Sequence, residues 1–191
     1  LGIDVFTDIA SEFRYNDPVI TNKTLVIFVS QSGETIDTLM SMKYAKEKGA
    51  RTLAISNVLG STITREADNV IYTLAGPEIS VASTKAYSSQ VLVMYLLSLY
   101  MGAKLGKIEE KDYQKYISNI SLLKENVVKL ISEKEKIHDI AKKIKDIKNG
   151  FYLGRGIDEK VAREGSLKMK EINYIHTEAL PAGELKHGSI A

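Results

Sequence analysis

Three short apolar, largely β-branched runs punctuate the first part of the chain: Leu25–Val29 (LVIFV), Thr52–Ser56 (TLAIS) and Asn69–Thr73 (NVIYT). Each is apolar on successive rather than alternate positions and is bounded by polar or glycine-bearing turns, the pattern of strands covered on both faces. Between the first two lies Thr35–Gly49, rich in Leu, Met, Ala, Lys and Glu, with Gly49 placed to end a helix. A strand–helix–strand unit of this kind predicts a parallel pair joined by a right-handed crossover. The polar segment Gly60–Asp68 separates the second and third strands, and Ser83 or Thr84 then opens an apolar helix reaching about Met101. Residues 1–106 thus read as an α/β domain: a three-layer αβα sandwich around a parallel sheet.

Residues 107–148 differ in kind. Apolar positions such as Ile117, Ile120, Val127, Ile131, Ile137 and Ile144 recur mostly at three- and four-residue steps among lysines and glutamates, with no proline. The spacing predicts an amphipathic helical region broken near Ser132. We expect a helical hairpin packed on the domain with its lysine-rich face in solvent, rather than a membrane-surface helix. Asn149-Gly150 ends it. Phe151–Leu153 then reads as a strand, Gly154-Arg155-Gly156 as a turn, and about Asp158 to Ile175 as a helix. No further strand is expected before the chain ends, so residues 149–191 read as the opening of a second domain.

Composition narrows the chemistry. The chain has 191 residues, 44% hydrophobic and 26% charged, which excludes a disordered or fibrous chain. With no cysteine there is no disulfide, thiolate metal site or cysteine nucleophile. The histidines, His138, His176 and His187, are too far apart in sequence to suggest a zinc cluster, and we expect no metal and no cofactor. A net charge of +2, from 26 basic and 24 acidic side chains, gives no reason to expect nucleic acid or a membrane as partner. The most apolar stretch, Val91–Ala103, falls short of the roughly 18–20 residues a membrane span needs. With no basic and apolar leader, and a start at Leu1, we read the chain as a cut fragment of a cytoplasmic protein.

Four segments can carry chemistry. Ser30-Gln31-Ser32-Gly33-Glu34-Thr35 lies at the carboxyl end of the first strand and the start of a helix, where an open parallel sheet places its ligand crevice. Backbone N–H groups and hydroxyls there suit an anion such as phosphate, and Gly33 permits a tight turn. Ser30 or Ser32 as a plain helix cap uses the same geometry. Val81-Ala82-Ser83-Thr84-Lys85 opens the next helix in a similar way, where Ser83 or Thr84 reads equally as an N-cap. Glu164, Lys168 and Glu171 fall on one helix face. Two carboxylates flanking an ammonium can serve proton transfer, or form a solvated salt-bridge stripe. His187, between Gly183 and Gly188, can act as an acid or base near neutrality or be an ordinary surface histidine.

Taken in order, SQSGET, VASTKAY and LGRG…EGSLKMKEINYIHTEALPAGELKHG resemble the sugar-isomerase (SIS) domains of the glutamine–fructose-6-phosphate aminotransferase family, over nearly the whole chain except residues 107–148. The resemblance implies a phosphosugar-binding isomerase domain that takes part in making glucosamine 6-phosphate from fructose 6-phosphate and glutamine-derived ammonia. It implies that Ser30, Gln31, Ser32 and Thr35 hold the sugar phosphate, and that Val81 (through its backbone) and Ser83 border the sugar. Glu171 would shuttle a proton between C1 and C2, assisted by Lys168 and supported by Glu164, and His187 would open the sugar ring in the neighbouring subunit of a homodimer. Against that family, the glutaminase domain, the first strand of the sugar domain and the C-terminal tail with its Schiff-base lysine lie outside this chain. We therefore expect weak sugar binding and no complete synthesis from the chain alone. A sugar-sensing module of a transcription regulator would keep SQSGET without needing Glu171 or His187. A stand-alone phosphosugar deaminase or isomerase would share the site.

Overall fold

The three apolar runs form strands β1 (Leu25–Ser30), β2 (Arg51–Ser56) and β3 (Asn69–Tyr72) in a computed structural model that describes residues 2–189. All pair in parallel in the order β1-β2-β3, with Leu25 opposite Arg51, Ser30 opposite Ser56, and Ser56 opposite Tyr72. The central strand is the most buried: every residue from Thr52 to Ser56 is shielded, as a strand covered on both faces requires. The crossover helix is α2 (Ile36–Glu47), and the chain leaves it through Gly49 at φ +89°, as its C-terminal glycine predicts. A short α1 (Ala10–Phe13), α3 (Thr62–Glu66) and the long α4 (Lys85–Lys104) complete this part.

The core lies between β1, β2 and α2. Phe28, Met42, Ala45, Ala50, Ala54 and Ile63 form one buried cluster, and Phe13 brings its ring edge-on to Phe28 at 6.3 Å and to Tyr44 at 6.2 Å. Burying Met42 and Ile63 completely is worth about 1.5–3 kcal/mol each. Asp68 closes the entry of β2. One of its oxygens accepts hydrogen bonds from the Thr52 N–H (2.8 Å) and hydroxyl (2.9 Å), and Lys46 lies 3.2 Å from the other. The Thr52 N–H, foremost, holds the Asp68 carboxyl below its ordinary pKa, helped by the Thr52 hydroxyl and Lys46.

The described residues divide into two compact units between Tyr116 and Ile117. Residues 107–148 form α5 (Glu110–Ser121), α6 (Leu123–Ser132) and α7 (Lys134–Ile144), so the break expected near Ser132 falls at Glu133 and a second occurs at Leu122. An apolar stripe buried by its neighbours is not found among these described residues. None of these helices buries a residue, and Val128, Leu130, Ile131 and Ile137 are 61–64% exposed. Lysine, glutamate and leucine support helix locally without requiring anything to cover the apolar stripe.

A second correction concerns the end of the chain. β4 (Asn149–Gly154) has a sheet partner after all: β5 (His176–Pro181) pairs with it in parallel, from Asn149 opposite His176 to Gly154 opposite Pro181. The crossover is α8 (Ile157–Asn173). It packs closely on β4 because Gly154 and Gly165 lack side chains. A Cβ on Gly154 would come 2.6 Å from the Asp158 carbonyl oxygen, and one on Gly165 would come 3.0 Å from the Tyr152 ring. On the β5 side, the buried Ser166 hydroxyl donates to the Thr177 carbonyl (3.0 Å) and the Thr177 hydroxyl donates to the Ser166 carbonyl (3.0 Å).

Candidate functional site

The loop after β1 is built around Gly33. Its φ of +69° is left-handed, and a Cβ there would lie 2.7 Å from the Ser61 Cβ and 2.9 Å from the Ile63 Cγ2, so two separate constraints demand glycine. The segment 57–63 holds the loop from the side. The Asn57 N–H donates to the Gln31 carbonyl (3.1 Å), the Ile63 N–H to the Gly33 carbonyl (3.0 Å), and the Thr62 N–H to Glu34 Oε1 (2.8 Å).

Within the loop, Ser30 Oγ accepts from the Gly33 N–H (3.0 Å) and Ser32 Oγ from the Glu34 N–H (3.2 Å). The simple capping reading is therefore replaced: these serines brace their own turn. Thr35 takes the N-cap position of α2 with no side-chain cap bond, its carbonyl accepting the Leu39 N–H at 3.0 Å. Among the described residues, no side chain accepts from the first-turn N–H groups of this twelve-residue helix, which starts at the carboxyl edge of a parallel sheet. Ser30 is buried, Gln31 and Ser32 are half-buried, and Thr35 is exposed, so the hydroxyls form a graded cradle open to solvent. That arrangement can take a small anion.

Val81 and Ser83 are less defined. Val81 is 94% exposed and Ser83 half-buried, and no hydrogen bond among the described residues joins either to the 30–35 loop. The start of α4 is instead capped from Glu78, whose Oε2 accepts the Thr84 (3.4 Å) and Ala86 (3.3 Å) N–H groups. Sequence reading missed this cap because it comes from six to eight residues upstream of the N–H groups it serves.

In the second unit, α8 does bring Glu164, Lys168 and Glu171 together. Lys168 Nζ lies 3.5 Å from Glu164 Oε1 and hydrogen-bonds Glu171 Oε2, with all three side chains between 20% and 35% exposed. The hydrogen bond to Glu171 raises the Lys168 pKa most, outweighing partial burial, and the Glu164 charge adds to it. The lysine is thus a fixed ammonium between two carboxylates. Glu159, which sequence reading also passed over, is 3% exposed one turn earlier and is paired with Lys160 (2.7 Å) and Arg163 (2.5 Å). His187 lies in an exposed turn over Leu185–Ser189, before Gly188 at φ +113°. Among the described residues, no helix is long and apolar enough to cross a membrane.

A parallel sheet with a Ser/Thr loop at its carboxyl edge, and a second β–α–β unit bearing a carboxylate–ammonium face, define an α/β protein built on parallel sheets. The SIS domain family matches residues 2–100 and 143–191, and the chain belongs to it. Over all 191 residues the chain is 99% identical to the glutamine–fructose-6-phosphate aminotransferase [isomerizing] of Fusobacterium nucleatum subsp. nucleatum, of which it spans 32%. It is 51% identical over 189 residues to the protein of that name from Caldanaerobacter subterraneus, of which it spans 31%. It therefore covers about a third of the length of these relatives. The C-terminal domain of glucosamine-fructose-6-phosphate aminotransferase from Francisella tularensis matches 96% of this chain and 52% of its own, with a TM-score of 0.92 and 38% identity.

Proposed function

We propose that the chain is the phosphosugar-binding, isomerising part of a cytoplasmic glutamine–fructose-6-phosphate aminotransferase. In this reading residues 1–106 are its first SIS domain, 107–148 a helical connection and 149–191 the opening of a second SIS domain. In the reaction, ammonia condenses with the C2 carbonyl of fructose 6-phosphate and expels water. A proton then leaves C1 as the imine nitrogen takes one up, and the enaminol so formed gains a proton at C2 as its C1 hydroxyl loses one, so that the amine stays on C2 and the carbonyl ends on C1. Ser30, Gln31, Ser32 and Thr35 hold the phosphate, which does not react and whose binding fixes the register of the sugar. Val81 and Ser83 border the sugar.

Glu171 carries the proton and Lys168 supplies positive charge for the oxygen that gains electron density, with Glu164 holding the ammonium from its other side. His187 opens the ring. A homodimer is supported by the apolar surface of α4, where Tyr95 and Tyr100 stay 51% and 56% exposed. The observation that carries the reading is the Glu164–Lys168–Glu171 face in a chain that also holds the cradle: proton transfer needs such a face and sugar sensing does not. The test is Glu171→Gln in the F. nucleatum aminotransferase. We expect kcat for glucosamine 6-phosphate formation to fall by about 100-fold or more, with fructose 6-phosphate binding retained. An unchanged kcat would remove Glu171 from the reaction.

A further inference from the structure

Glu34 poses a problem for an anion cradle, since it places a carboxylate between Ser32 and Thr35, two of the residues assigned to phosphate. The structure resolves it by tying that carboxylate elsewhere. Glu34 Oε1 accepts the Thr62 N–H at 2.8 Å, at the first residue of α3, and Arg65 of the same helix donates to the Thr62 hydroxyl at 2.9 Å. The Gly33 and Gln31 carbonyls are held by the same neighbouring segment, through the N–H groups of Ile63 and Asn57. Glu34 is the side-chain member of this clasp. The clasp also keeps the carboxyl ionised below its ordinary pKa, chiefly through the Thr62 hydroxyl and then its N–H, with the Arg65 charge adding.

We propose that Glu34 is a positioning residue for the phosphate cradle: clamped to the Thr62 N–H, it fixes the loop 30–35 in its donor-presenting form and keeps its own charge engaged on the start of α3. The inference rests on the phosphate reading above. It follows that the function of Glu34 lies in its oxygen as a hydrogen-bond acceptor more than in its charge. Glutamine retains that oxygen and alanine does not.

The experiment compares Glu34→Ala, Glu34→Gln, Thr62→Pro and Ser32→Ala in the F. nucleatum aminotransferase, with fructose 6-phosphate as the probe. Thr62→Pro deletes the donor at a first helical position, where proline fits, and the preceding Ser61 already has the extended backbone (φ −62°, ψ 160°) that proline requires of its neighbour. Loss of one hydrogen bond should raise the KM of Glu34→Ala about tenfold, with kcat changed by less than about twofold. Glu34→Gln should stay within about twofold of wild type in KM, Thr62→Pro should resemble Glu34→Ala, and the double variant Glu34→Ala with Thr62→Pro should be no worse than either. If Ser32→Ala raises KM while Glu34→Ala and Thr62→Pro do not, the clasp is overturned and the cradle stands. If Glu34→Gln is as impaired as Glu34→Ala, charge rather than geometry is at work and the inference fails. If Ser32→Ala also leaves KM unchanged, the cradle reading falls with it.

Discussion

Gly33 and Gly60 form a matched pair. Both have φ of +69°, yet a Cβ on Gly60 would meet nothing within 4 Å, whereas on Gly33 it would press on Ser61 and Ile63, which are themselves buried. Gly60→Ala should thus pay only for a left-handed alanine, about 1–2 kcal/mol. Gly33→Ala carries the same strain plus overpacking against two immobile neighbours, about 1–3 kcal/mol more. Thermal unfolding of the chain followed by circular dichroism reads the difference directly. Each kcal/mol corresponds to roughly 4–8 °C for a unit of about a hundred residues, so Gly33→Ala should melt at least about 4 °C below Gly60→Ala. Equal melting temperatures would refute the reasoning, because they would mean that the loop is not pressed against Ser61 as described. Only Gly33→Ala should also weaken phosphosugar binding, since relief of the clash displaces Ser30 and Ser32.

The remaining predictions concern other parts of the structure. Ser166→Ala and Thr177→Val should each cost about 1 kcal/mol by denaturant unfolding, and the double variant should cost less than the sum, because the hydroxyls lie 3.1 Å apart and each donates to the other residue's carbonyl, so either change disturbs both bonds. Strict additivity would show that the two do not meet. The Asp68 carboxyl has a folded pKa below its ordinary value of 3.8, so its contribution is present above that value and is lost as pH falls through the lower folded one. The stability gap between wild type and Asp68→Asn should therefore be constant near neutrality and close in acid. A gap that does not shrink as pH falls below the ordinary carboxylate range would contradict the assignment. Lys168→Met leaves Glu164 and Glu171 on one face without their ammonium, and kcat of the F. nucleatum aminotransferase should fall by about 100-fold with KM little changed. A KM effect alone would make Lys168 a binding residue.

How much of this was legible in the sequence depends on the range of the interactions involved. LVIFV, TLAIS and the helix between them are fixed by local apolar runs and a closing glycine, and they appear where the pattern places them. The strand HTEALP was not legible, since its burial falls on Thr177 and its remaining residues are polar or partly exposed, which leaves no apolar run to detect. The same holds for the loop 30–35. Its residues could be read from the motif, but its supports, Ser61, Thr62 and Asn57, come from a segment more than twenty residues downstream and have no local signature. Glu159 was passed over because a glutamate in a first helical turn ordinarily reads as a solvated partner of the helix dipole. The carboxylate–ammonium face of α8 was legible because i, i+4 and i+7 spacing is enough to specify it.

The central claim is that the loop 30–35 holds the phosphate of a sugar phosphate. Calorimetric titration of the F. nucleatum aminotransferase with glucosamine 6-phosphate, in wild type and Ser32→Ala, with inorganic phosphate as competitor, tests it most directly. Binding that weakens about tenfold in Ser32→Ala, and that inorganic phosphate displaces, is the predicted result. Equal affinity in both proteins would contradict the account and move the phosphate away from this loop.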